Sequence, residues 1–87
     1  MQLVFFFMMS PEAILNLPHK LYKCRNGNEV IRSKVYPFWV VGKVIDILGG
    51  YGICGQTIRY YGPFMSGRKA WQSAKFKALS FIDTTYQ

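Results

Sequence analysis

Lys20-Leu-Tyr-Lys-Cys-Arg-Asn-Gly-Asn-Glu-Val-Ile-Arg-Ser33 decides how this chain folds. Two β-prone runs flank Asn26-Gly27, the dipeptide best suited to the left-handed positions of a type I′ hairpin turn. A two-residue turn there sets Cys24 against Glu29, Lys23 against Val30 and Tyr22 against Ile31. Alternation then predicts one face with Tyr22, Cys24 and Ile31, with Glu29 near the turn. The other face takes Lys23, Arg25 and Arg32, with Leu21 and Val30 among them. One mainly apolar and one mainly basic face follow.

Toward the N-terminus, Leu3–Met9 is apolar on both alternating faces and reads as a short strand buried on both sides. Ser10-Pro11-Glu12 reads as a helix start. Serine accepts an orphan N–H, proline fits the first turn, and the acid favours the positive helix end. Ile14 and Leu17 are spaced to face a core together, and Pro18 stops the helix after about two turns.

Toward the C-terminus, Tyr36–Leu48 is rich in β-branched and aromatic residues and reads as a strand. Phe38, Val40 and Val44 alternate with Trp39, Val41 and Lys43. Gly49-Gly50-Tyr51-Gly52 is a turn; with no Lys-Ser/Thr pair and no helix start after it, it is no phosphate-binding glycine loop. Ile53–Phe64 is the next strand, with Ile58, Tyr60 and Phe64 on one face and Thr57, Arg59 and Tyr61 on the other. Ser66 caps a main helix over Gly67–Asp83, where Ala70, Ala74, Ala78 and Ile82 recur at spacing four, beside Trp71, Leu79 and Phe81. Small residues on that stripe let the helix lie close on a sheet. The expected fold is α+β: one domain over residues 1–87, with a small antiparallel sheet of three or more strands. The C-terminal helix packs on one face, and a short strand and helix precede the sheet.

The chain has 87 residues, 51% hydrophobic and 17% aromatic, which suits one folded domain and excludes a multidomain enzyme or a solenoid. Eleven Lys and Arg face four acids, a net charge of +7. Lys20, Lys23, Arg25, Arg32 and Lys34 form one cluster, and Arg59, Arg68, Lys69, Lys75 and Lys77 a second with no acid among them. Such clustering favours an anionic partner. The apolar stretch Val35–Cys54 holds Pro37, Lys43, Asp46 and four glycines, which excludes a bilayer-spanning helix. Leu3–Met9 has no preceding cation and no following cleavage pattern, so no signal peptide is expected there, and a cytoplasmic location with reduced Cys24 and Cys54 is expected. Two cysteines and the single His19 make no metal site, and no cofactor is implied. Glu12, Glu29, Asp46 and Asp83 fall in separate elements, and Ser66 has no histidine partner, so no catalytic set is read.

Tyr61-Gly62-Pro63-Phe64-Met65-Ser66, followed by Ala70, Ala74, Ala78 and Leu79, resembles the third strand and helix of βββα DNA-binding modules. These include the ethylene-response-factor domain and the arm-binding domain of phage integrases. The resemblance covers about residues 57–82 and implies that an exposed sheet face enters the DNA major groove. Ser66, Arg68, Ala70, Ala74, Ala78 and Leu79 are also similar to the last helix of double-stranded-RNA-binding domains. The Gly62-Pro63-Phe64 corner is similar to that of sporulation-related peptidoglycan-binding domains.

Independently of any family, Lys23, Arg25, Arg32, Lys43, Arg59 and Tyr61 fall on the non-core side of the expected strands, and Trp39 shares the alternation of Lys43. Cations neutralise phosphates, arginine reads guanine edges, and Trp39 or Tyr61 can stack on bases. The expected partner is nucleic acid, duplex DNA over RNA, bound by the sheet face away from the helix. The alternative is an acidic groove on a partner protein, the target of many small phage-encoded inhibitors; no membrane partner is expected.

Overall fold

The computed structural model describes residues 9–76 and 82–83. Helix α1 (Pro11–Leu15) leads into β1 (His19–Lys23), β2 (Glu29–Ser33), β3 (Trp39–Gly49) and β4 (Gly52–Phe64); helix α2 (Gly67–Ala74) and β5 (Ile82–Asp83) follow. The sheet order is β1-β2-β3-β4, antiparallel throughout, and β5 adds a short parallel pairing to Ile47 and Leu48 of β3. The α+β architecture expected from the sequence is therefore present. The Leu3–Met9 strand lies outside the described residues, apart from Met9, as do Lys77, Ala78, Leu79 and Phe81.

Both helix starts follow their capping signals. The Ser10 hydroxyl accepts from Ala13 N at 3.2 Å with Pro11 in the first turn, and the Ser66 hydroxyl accepts from Lys69 N at 3.4 Å. Gly50-Tyr51 makes the tight β3–β4 turn between the paired Gly49 and Gly52.

The hairpin differs from its expected form. Its loop has three residues, Arg25-Asn26-Gly27, closed by Cys24 N to Asn28 O at 2.8 Å and Gly27 N to Cys24 O at 3.0 Å. Gly27 alone takes a positive φ, +92°. A three-residue loop needs only its last residue in the left-handed region, so Asn26 stays out of it, and its side chain is engaged elsewhere. Its Oδ1 accepts from Asn28 N at 2.9 Å, and its Nδ2 donates to Ala74 O of α2 at 2.9 Å. The register moves by one residue: Tyr22 pairs with Val30, Lys23 with Glu29 and Leu21 with Ile31. A one-residue shift re-sorts the faces. Lys20, Tyr22, Val30 and Arg32 now share one side, and Leu21, Lys23, Glu29 and Ile31 share the other.

Each side of the sheet carries a helix. On the α1 side, Ile14, Ile31, Phe38 and Val40 are buried together, with Met9, Leu15, Tyr36 and Tyr60 packed around them. On the α2 side, Val30, Val41, Ala70 and Ala74 are buried, with Tyr22, Cys24, Trp39 and Phe64 around them. Phe64 was expected beside Ile58 and Tyr60. A register shift between Trp39 and Val41 pairs Phe64 with Trp39 instead and turns it toward α2. The helix expected over Gly67–Asp83 ends at Ala74, and Ile82 belongs to a strand. Its terminal carbonyls are taken by the hairpin. Asn28 Nδ2 donates to Ala74 O at 3.0 Å and Phe76 O at 3.1 Å, beside the Asn26 bond. These amides satisfy carbonyls that a helix end otherwise leaves open.

Candidate anion-binding face

The register places the expected site residues as follows. Arg32 pairs with Trp39, Val41 with Tyr61 and Lys43 with Arg59, all on the side of the sheet that carries α2. Arg25 reaches the same side through the hairpin loop, lining a depression of about 400 Å³ with Cys24, Asn26, Trp71, Ala74 and Lys75. Lys23 falls on the opposite side, where its Nζ meets Glu29 Oε2 at 3.2 Å. The basic face therefore lies on the α2 side, not on the side away from that helix. The correction comes from the hairpin loop, which parts Lys23 from Arg32. It comes also from β3, whose odd-numbered residues point toward α2.

Among the described side chains, the acids are segregated. Glu29 and Asp46 share the side of Gly42 and Tyr60, and Glu12 lies on α1, which packs there. Asp46 accepts from Gln56 Nε2 at 3.0 Å. Glu29 is 8% exposed; its Oε1 has no partner at hydrogen-bonding geometry among the described residues. Tyr60 lies close by, its ring lying across Gly42, where a Cβ would be 2.8 Å from Tyr60 Cε1. Burial first, then the Glu29 carboxylate and more weakly Glu12, push the Tyr60 hydroxyl above its ordinary value. Among the described residues, every cation except Lys23 belongs to the α2 side, its edge or α2 itself, where Arg68, Lys69 and Lys75 are exposed.

The densest part of this face is a cleft of about 540 Å³ where β1, β2 and the loop before β3 meet. Lys20, Arg32 and Lys34 line it with Tyr22, Val35, Trp39 and Met65, and among the described residues no acid does. Lys20 and Arg32 are cross-strand partners, so two like charges face each other. Such a pair is destabilising in isolation and well placed for an anion. Aromatic rings hold both. The Arg32 guanidinium lies 5.5 Å from the Trp39 ring centre, and Lys20 Nζ lies 5.1 Å from that of Tyr22. Trp39 is itself fixed from behind: a Cβ on Gly67 would come within 2.7 Å of the indole, so glycine lets α2 start against the ring. The Ser33 hydroxyl accepts from Val35 N at 3.1 Å and Tyr36 N at 3.0 Å, and Lys34 N donates to Pro18 O at 2.9 Å. These hydrogen bonds fix the backbone of the loop that carries Lys34.

Across α2 a second patch forms. Lys43 and Arg59 are cross-strand partners, and Lys43 Nζ lies 5.6 Å from the Tyr61 ring centre. The structure thus brings Arg32 to Trp39 and Lys43 to Arg59 and Tyr61, in two groups with α2 between them. Lys20, Lys34 and Tyr22 were missing from the expected site. Their sequence signal was the basic run Lys20–Lys34, and the three-residue loop assigns its members to faces. Comparison of the chain with protein-family models, with curated proteins and with solved structures returns no significant match.

Proposed function

We propose that this protein binds nucleic acid, duplex DNA in preference to RNA, with the α2 side of its sheet. The segregation of charge supports this reading: Lys20, Arg32, Lys34, Lys43, Arg59, Arg68, Lys69 and Lys75 lie on one side, and Glu12, Glu29 and Asp46 on the other. Opposite charges kept that far apart leave a cationic field that draws and orients a polyanion. The preference for duplex DNA follows from α2. An α-helix with its side chains is about 10–12 Å across, and the major groove of B-DNA, about 12 Å wide, admits one such as α2. The corresponding groove of duplex RNA is too narrow. Arg68, Lys69 and Gln72 are exposed on α2, and arginine and glutamine are the side chains that pair with guanine and adenine edges. Lys20, Arg32 and Lys34 on one flank and Lys43 and Arg59 on the other would meet the bordering phosphates.

The test is a gel-shift titration against random duplex DNA over a series of salt concentrations. Binding that weakens steeply and linearly in log salt, by about 0.9 per phosphate contact, supports the reading. A duplex RNA of the same sequence should bind more weakly. No shift at low salt would overturn it in favour of an acidic protein partner.

A further inference from the structure

We infer that the cleft of Lys20, Arg32, Lys34 and Trp39 is a discrete site for a terminal phosphate carried on a nucleotide. This goes beyond the duplex reading and stands without it, because a free nucleotide would satisfy the cleft as fully as a strand terminus.

Charge comes first. Three cations and no acid line one cleft. A carboxylate would neutralise one of them, and a phosphodiester likewise carries a single charge. A terminal phosphate carries about −1.5 to −2 at neutral pH and three acceptor oxygens, the nearest match for three donors. Preorganisation comes second. Arg32 lies against Trp39 and Lys20 against Tyr22, at 5.5 Å and 5.1 Å from the ring centres, and the Ser33 hydroxyl folds the loop that bears Lys34. An arginine held over a ring presents its planar fork without first losing rotamer freedom. Size and lining come third. A volume of about 540 Å³ falls in the range of small-molecule sites. Val35 and Met65, 50% and 58% exposed, add apolar wall beside the cations. A phosphate alone would leave that wall in water; a phosphate bearing a flat, weakly polar ring would cover it.

The experiment reads Trp39. In a Trp71→Phe protein it is the only tryptophan, so its emission reports the cleft. At constant ionic strength, a nucleoside 5′-monophosphate should change that emission saturably, with the parent nucleoside about tenfold weaker or more, the value of one charge-assisted hydrogen bond. Arg32→Gln and Lys34→Gln, both exposed and tolerable to the fold, should each weaken the nucleotide by about the same factor. Lys23→Gln, across the sheet, should not. A second arm identifies the source: a short single strand is titrated with and without its 5′-phosphate. Preference for the phosphorylated strand over the free nucleotide assigns the site to strand ends, and the reverse assigns it to nucleotides. Equal binding of nucleoside and nucleotide, equal loss from Lys23→Gln, or no response at millimolar nucleotide would overturn the inference. Duplex binding, measured separately by gel shift, stands or falls on its own.

Discussion

On the α1 side of the sheet, an aliphatic and aromatic core of Ile14, Ile31, Phe38 and Val40 is bordered by Glu12, Glu29, Asp46 and the bridged Lys23. On the α2 side, Val30, Val41, Ala70 and Ala74 close a smaller core, and among the described residues the charged side chains around it are cations. The same strands supply both. The first side can be understood as packing: Lys23 and Glu29 are paired, and Asp46 accepts from Gln56. The second side places Lys20 against Arg32 and Lys43 against Arg59, an arrangement that costs stability. Repulsion kept on one side, with acids available in the same chain but placed on the other, is what a surface built for an anion looks like.

The contrast can be broken most sharply at the α2 core. Ala74 is 1% exposed, so Ala74→Lys should force a cation among Val30 and Val41 and cost about 4 kcal/mol in denaturant unfolding. An unchanged midpoint would mean that α2 does not pack as described. Next comes Asn28, which is 0% exposed and joins α2 to the sheet, its Oδ1 also accepting from Val44 N at 2.9 Å. Asn28→Ala takes the side-chain partner from Val44 N and Phe76 O, leaves Ala74 O with Asn26 alone, and should cost about 3 kcal/mol. Hydrogen exchange should then speed up in α2 before it does in α1.

Charge reversal tests the function of the two sides against each other. Arg32→Glu with Arg59→Glu should lower duplex affinity about 100-fold and reduce the salt slope by about two, without unfolding the protein. A comparable loss from Lys23→Gln would place the binding face on the wrong side.

How far the sequence shows this division differs from element to element. The alternation of Phe38, Val40 and Val44 with Trp39, Val41 and Lys43 separates the two cores as the structure does, because both faces of β3 are covered. The Ser10 and Ser66 caps are local and equally plain. The hairpin register is not, because Asn26 is recruited by Ala74, a residue 48 positions away, and no local rule for Asn-Gly contains that contact. The end of α2 is hidden for the same reason: nothing in Ala74-Lys75-Phe76 breaks a helix, and the amides that stop it come from the hairpin. Of the cleft, Arg32 and Trp39 could be selected from alternation, while Lys20 and Lys34 required the true register.

The smallest expected effect sharpens the α1 side. Tyr60 has its hydroxyl pushed above the ordinary 10.0, by burial first and then by Glu29. The folded protein therefore keeps a proton that the unfolded chain gives up. Its contribution is complete below pH 10 and is lost as pH rises from there through the raised value, since the unfolded state then binds fewer protons. Tyr60→Phe should flatten that part of the alkaline stability loss. Urea unfolding of both proteins on either side of pH 10 measures it, and identical pH dependence would show that neither burial nor Glu29 raises the Tyr60 hydroxyl.

The capping of α2 by Asn26 and Asn28 also sets an order of assembly. Eight residues are too few to hold a helix alone in water, and the amides that close its last turn lie 46 and 48 positions upstream. The helix thus gains its final turn only when the β1–β2 hairpin has closed and been brought to it across 46 to 48 positions of the chain. Contacts of that separation slow folding, because a long loop must close before they contribute. The element proposed to enter the groove of DNA is then among the last to form, and a nascent chain presents its hairpin cations before it presents a helix.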